Sequence, residues 1–243
     1  MTISAYQFSQ LFNFRDLGGQ RGAGGRAVRH GRVYRSDSLH ALTAEDRAVW
    51  DRLGVRTVLD LRRPREIEKY GRVPEWEGVH WEHVYLRHQE WEEVPWQHSA
   101  MPLADYLVER YLAMAEESGA DIARALGVIA DPDSAPVVVH CMAGKDRTGI
   151  VCALTLAAVG VPDQDIAEEY ALTSPNIARL RDTLLRAKPG RTDLDRIPMD
   201  TPAEAMLRSL AGLRERHGSI EGYLSDIGLP DSAVSSMRTH LLE

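Results

Sequence analysis

The sequence predicts an α/β fold, a central and mainly parallel sheet flanked by helices, and three features carry that prediction. Two short apolar runs rich in β-branched residues, 56–61 and 136–140, have the length and composition of buried strands. Apolar residues recur at helical spacing between them, as at Leu103, Leu107, Tyr111 and Met114. Strands that alternate with helices build parallel sheets covered on their faces.

Taken in order, the glycines at 18–19 and 22–25 read as tight turns. Thr43 with Asp46 three residues later marks a helix start; that helix runs to about Leu53 and Gly54 ends it. The run 56–61 is a buried strand, and 79–85, which alternates less cleanly, is a second candidate. Helices follow through Leu103 to Met114 and, after Gly119, through Ile122, Leu126 and Ile129. Residues 136–140, valines bounded by a proline, form a strand, and 147–159 a buried helix closed by Gly160. Helical patterns continue over 163–170, 202–217 and from 231 to the end. The charged stretch 174–201 carries Pro175, Pro189, Gly190 and Pro198 beside the amphipathic Ile177, Leu180 and Leu184. It reads as surface helix and loop inserted in one domain spanning residues 1–243, a length that buries a substantial core.

Composition narrows the function. With 29 basic and 36 acidic residues the net charge is −7, which argues against a nucleic-acid partner. No apolar run reaches the length of a transmembrane segment. Met1 to Leu11 has neither a basic start nor an apolar stretch, and Cys141 and Cys152 are the only cysteines. The expected setting is therefore cytoplasmic, or outside the cell by a route without a classical signal peptide. His80, His83, His88 and His98 are dense but fit no ligand spacing, so neither metal nor other cofactor is expected. Trp76, Trp81, Trp91 and Trp96 crowd one segment and read as core and rim packing.

The chemistry concentrates in Val137-Val138-Val139-His140-Cys141-Met142-Ala143-Gly144-Lys145-Asp146-Arg147-Thr148-Gly149. A strand delivers a cysteine into a short loop that opens a helix. Unpaired N–H groups of such a loop and helix start converge into an anion site, favoured further by the helix dipole. Gly144 lets the backbone curl closely, and Arg147 supplies a planar fork matched to phosphate oxygens. The same field favours the thiolate of Cys141, since helix N-termini and cationic neighbours lower thiol pKa values to roughly 3.5–7.5. The loop thus activates a nucleophile and holds the phosphate it attacks.

His-Cys, five residues, Arg, Thr is the signature of protein tyrosine phosphatases, and HCMAGKDRTG resembles the bacterial subgroup with Lys-Asp-Arg in its loop. Asn13-Phe14-Arg15-Asp16-Leu17-Gly18-Gly19, Gly31-Arg32-Val33-Tyr34-Arg35-Ser36-Asp37, Val58-Leu59-Asp60-Leu61-Arg62 and Gly218-Ser219 with Tyr223-Leu224 are similar to the same group. The resemblance covers nearly the whole chain. It implies a cysteine-phosphatase fold with a helical lid at 174–201, and hydrolysis through a phosphocysteine. By resemblance Cys141 attacks phosphorus and Arg147 stabilises the transferring group. Met142, Ala143, Gly144 and Lys145 line the phosphate site. Thr148 hydrogen-bonds the sulfur, and His140 orients the loop. Lys145 would point to the pocket mouth and meet a further phosphate. The Trp-Pro-Asp tripeptide that carries the general acid in well-known tyrosine phosphatases is absent. Asp146 is the expected acid, Asp60 the reserve, and Arg35 a supporting residue beside the site or a fold contact.

Phosphotyrosine in proteins is the expected substrate, with phosphoserine and phosphothreonine possible and phosphoinositides the alternative. A rhodanese-like sulfurtransferase would have a shorter loop than the five residues from Met142 to Asp146. A nucleotide P-loop is excluded because Asp146, not Ser or Thr, follows Lys145. A catalytically silent phosphate-binding module would not need Cys141, Arg147 and Thr148 together.

Overall fold

A computed structural model of the chain describes residues 7–90, 93–96, 101–187 and 200–243. Five strands, β1 (Arg15–Asp16), β2 (Val33–Ser36), β3 (Thr57–Asp60), β4 (His80–His83) and β5 (Val137–His140), form one sheet in the order β1-β2-β5-β3-β4. Only β1 runs antiparallel; β2, β5, β3 and β4 are parallel, so the expected mainly parallel sheet is present. β5 lies at its centre in register with Arg35 and Leu59 at Val139, and with Ser36 and Asp60 at His140.

Side chains alternate across a strand, so each strand feeds two cores. Val33, Leu59, Val137 and Val139 point into the larger one, with helices α3 (Leu103–Glu117), α4 (Gly119–Ala130), α5 (Asp146–Ala158) and α6 (Asp163–Ala171). The C-terminal helices α8 (Ala203–His217), α9 (Ile220–Asp226) and α10 (Asp231–His240) share that core, and α7 (Thr173–Ala187) follows α6. Tyr34, Val58 and Val138 point the other way, onto Trp50 of α1 (Arg47–Leu53) with Trp76 and Trp81 at its margin. Helix α2 (Pro64–Tyr70) follows β3.

Local signals fall where sequence placed them. The Thr43 backbone N–H donates to Asp46 at 2.9 Å, and Gly54 ends α1 with φ +61°. The buried helix after the loop is apolar all round from Ile150 to Ala158 except for Thr155, whose hydroxyl donates to the Val151 carbonyl. β2 and α2 were not expected. β2 reads Val-Tyr-Arg-Ser, polar by composition yet wholly buried, and a buried arginine hides a central strand from pattern analysis. Within the charged stretch 174–201, α7 accounts for the helix to residue 187; residues 188–199 and the side chains of Leu180 and Leu184 lie outside the described residues.

Candidate active site

The loop from Cys141 to Lys145 leaves the C-terminal end of β5, where open α/β sheets place their ligands. Its carbonyls all have partners outside the loop's concave side. The Cys141 carbonyl accepts from His140 Nδ1 at 3.2 Å and that of Met142 from the Ser38 N–H at 3.1 Å. Asn13 Nδ2 donates to the carbonyls of Ala143 (3.1 Å) and Gly144 (2.9 Å), and Arg35 donates to the latter at 2.7 Å. The Lys145 carbonyl enters the helix through Gly149. In a trans peptide the N–H points opposite to the preceding C=O. Fixing these carbonyls outward therefore turns the N–H groups of Met142, Ala143, Gly144 and Lys145 inward, as an anion nest requires. Gly144 has φ +64°, and a Cβ there would lie 2.3 Å from the Ser36 carbonyl oxygen. Glycine is needed both for its backbone angle and for the approach to β2.

Cys141 is buried at the base of the nest. Arg147, in the first turn of α5, donates to both oxygens of Glu66 on α2 at 2.6 and 3.1 Å and to the Leu61 carbonyl at 3.3 Å. Burial opposes its charge, but Cys141, Glu66 and Asp146 outweigh that and raise its pKa further. Asp146 is partly exposed; Oδ1 accepts from the Tyr111 hydroxyl at 2.7 Å and lies 3.6 Å from Lys145 Nζ. Among the described residues Oδ2 accepts no hydrogen bond, so one oxygen of this carboxyl remains for substrate.

Other expected residues sit differently. Asp60 is fully buried and accepts from Arg62 through its backbone N–H, Nε and Nη2, and from Trp81 Nε1. Burial works to raise its pKa, but His140 and Arg62 prevail and hold the carboxyl far below the usual range. Both of its oxygens are thus engaged by Arg62 and Trp81. Lys145 is 3 % exposed, its ammonium beside Asp146 instead of at an open mouth. The Thr148 hydroxyl is buried without a hydrogen-bond partner, so the expected contact with the Cys141 sulfur is not made. Arg35 is fully buried and bonded to Glu169 of α6 at 2.6 Å, a fold contact. His140 is buried, which lowers its pKa; Nε2 is 3.5 Å from Asp60. Cys152 is buried beneath the site, and burial pushes its thiol up to about 12.

Sequence reasoning missed Glu66, Asn13, Ser38, Glu169 and Tyr111. Glu66 alone had a local signal: Pro64 at the first helical position with a glutamate two residues later marks a helix start. Among the described residues no three His, Cys, Asp or Glu side chains converge as a metal ligand set. No helix among them is long and apolar enough to cross a membrane. A cavity of about 510 Å³ is lined by Arg72, Trp76, His80 and Trp81 and includes neither Cys141 nor Arg147.

Comparison with known proteins places the chain in a family. The model of a tyrosine phosphatase family matches residues 6–243. The chain is 29% identical to the triple specificity protein phosphatase PtpB of Mycobacterium tuberculosis, over 95% of this chain and 96% of that protein. It is 31% identical to a protein named as a tyrosine-protein phosphatase in Cupriavidus necator, over 97% of this chain and 87% of the other. A tyrosine-protein phosphatase of Nostoc commune is 28% identical over 85% and 73% of the two chains.

Proposed function

We propose, from the premise that this chain belongs to the tyrosine phosphatase family and is a phosphoric monoester hydrolase, that it works through a phosphocysteine at Cys141. The observation that carries the reading is the loop whose carbonyls are pinned outward around a buried cysteine, with Arg147 held at its rim by Glu66. Such a loop serves the three equatorial oxygens of a transferring phosphoryl group, where preorganised donors contribute most.

In the first step Cys141 Sγ attacks phosphorus. The S–P bond forms as the ester P–O bond breaks; its electron pair goes to the leaving oxygen, which takes a proton from Asp146. In the second, water attacks phosphorus, the S–P pair returns to sulfur, and the Asp146 carboxylate accepts the water's proton. The chain is read as one phosphatase domain, with α7 as part of a proposed cover. α7 begins beside the loop's supports: Thr173 accepts from Arg15, and Asn176 donates to Asn13 at 3.4 Å.

The substrate is phosphotyrosine in proteins, with phosphoserine and phosphothreonine as further substrates; a relative named for triple specificity supports more than one ester class. The buried Lys145 offers little to the second phosphate of an inositol lipid.

Rapid quenching of the wild-type enzyme with p-nitrophenyl phosphate should trap phosphate on Cys141, and Cys141→Ser should bind phosphate without turnover. A Cys141→Ser enzyme of near-normal rate would end the mechanism. A side-by-side rate profile on a phosphotyrosine peptide, a phosphoserine peptide and a soluble inositol lipid tests the substrate; the lipid turning over fastest would reverse that assignment.

A further inference from the structure

The loop accounts for the nucleophile and the phosphate, but not for how Asp146 is aimed. Asp146 opens α5, and a helix-start side chain rotates freely unless something holds it. That something comes from α3 and α6. Tyr111 of α3 is fully buried, and its hydroxyl lies 2.7 Å from Asp146 Oδ1 and 2.5 Å from the hydroxyl of Tyr170 on α6. A tyrosine has one proton to donate. The carboxylate is acceptor-only when ionised, so Tyr111 donates to Asp146, and Tyr170 must donate to Tyr111. The two rings meet edge to face, 5.9 Å between centroids at 89°. The Tyr170 ring has room because α5 carries Gly149 one turn beyond Asp146: a Cβ there would be 3.2 Å from the ring. Phenylalanine at either position would fill the same space, so packing alone does not call for the hydroxyls.

We propose that Tyr111, backed by Tyr170, is a positioning residue that fixes Asp146 as the general acid, committing Oδ1 to the protein so that the transferable proton sits on Oδ2. The inference rests on the reading of Asp146 as the acid. With Oδ1 engaged by Tyr111 and close to Lys145, the carboxyl is oriented with Oδ2 as the oxygen open to the leaving group. The chain of donors keeps its sense through the cycle, since Oδ1 accepts from Tyr111 whether or not Oδ2 carries the proton. Burial, with Asp146 next among the causes, raises both phenol pKa values, so neither tyrosine competes as a proton donor.

The test is kcat/KM across aryl phosphates from p-nitrophenyl to phenyl phosphate, because a poor leaving group needs the proton and a good one does not. Asp146→Asn should fall about 10²–10⁴-fold further on phenyl phosphate than on p-nitrophenyl phosphate. Tyr111→Phe should show the same bias at about 5–10-fold, the worth of roughly one hydrogen bond, and Tyr170→Phe less. In an Asp146→Asn background, Tyr111→Phe should add no further bias. Vanadate affinity should stay unchanged in Tyr111→Phe, which shows that the loop is intact. An equal loss on every ester, no loss at all, or a full additional bias in the Asn background would overturn the positioning role while leaving Asp146 as acid. If Asp146→Asn itself shows no bias, the acid assignment fails and this inference with it.

Discussion

Two buried arginines flank β5, and the difference between them separates holding the loop from using it. Arg35 comes from β2 and pairs with Glu169; Arg147 reaches toward the end of β3 and pairs with Glu66. Both are charged guanidiniums on one glutamate, and both leave Nε without a hydrogen bond among the described residues. In Arg35 that nitrogen is sealed in the core of a fully buried side chain, and the guanidinium is spent on the Gly144 carbonyl. Arg147, whose terminal nitrogens both meet Glu66, feels the charge of Cys141 instead. The first carboxylate is shared further: Glu169 also holds Arg15 at 2.6 Å, and burial together with Arg35 pulls the Arg15 pKa down to about 10. The ion-pair chemistry is the same at both arginines; the proposed difference is that Arg35 serves the loop and Arg147 the substrate.

The sharpest way to break this contrast is to exchange the phenotypes. Arg35→Met leaves Glu169 with one cation and the Gly144 carbonyl with Asn13 as its one remaining side-chain donor. Breaking a buried pair costs about 3–5 kcal/mol, so the urea midpoint should drop sharply while the folded fraction retains much of its kcat. A normal midpoint with lost turnover would place Arg35 in the chemistry instead. Arg147→Lys should do the reverse. It keeps the charge and loses the fork, and kcat should fall by about 10²–10³-fold with little change in urea midpoint. Glu66→Gln sharpens the same point, since it removes the carboxylate that aims Arg147. A loss of up to about 10²-fold is expected, because small misplacements at a reacting centre have that effect. Phosphate affinity falling together with kcat would tie Glu66 to Arg147, whereas an unchanged rate would show that Arg147 aims itself.

The smallest expected effect is in pH dependence of stability. The pKa of Glu169 is lowered because its two arginines outweigh burial, and that of Glu66 is lowered by Arg147 against the same penalty. The unfolded chain therefore binds more protons in the acid range. The stability these groups contribute is complete above the ordinary glutamate value of 4.5 and is lost as pH falls through their folded values. Asp37 acts oppositely: burial raises it from 3.8 to about 6 despite hydrogen bonds from Phe12 and Asn13. Its contribution declines as pH rises through that interval, on the order of 1–3 kcal/mol. Urea titrations from pH 3 to 7 should show Glu169→Gln flattening the acid-side loss and Asp37→Asn removing the decline between 4 and 6. Superimposable wild-type and mutant profiles would refute both assignments.

What could be read from the chain before any coordinates were known was local. The run from Val137 to Gly149 carries its own geometry: three valines make a strand, Gly144 supplies the one positive φ in the loop, and the helix that follows starts at Asp146. Likewise the Thr43–Asp46 cap and Gly54 bounded α1 without tertiary help. The same local clarity left two things open. A charged residue beside the cysteine can be an acid, a strut or a solvated face, and only neighbours from elsewhere decide among these. Asp146 was the expected acid and Asp60 the reserve; only the packing shows that Arg62 and Trp81 engage both Asp60 oxygens.

By itself, then, the sequence determined the fold class and the strand, tight loop and helix start around Cys141, because these depend on backbone preferences that agree within short segments. Only the tertiary structure decided what surrounds them. Arg147 meets Glu66 across 81 residues, Gly144 meets Asn13 across 131, Arg35 meets Glu169 across 134 and Asp146 meets Tyr111 across 35. Those pairings follow from which faces of α2, α3 and α6 the two cores bring to the end of β5. No periodicity encodes that, since a buried polar side chain in a helix looks the same in sequence whatever partner the packing gives it.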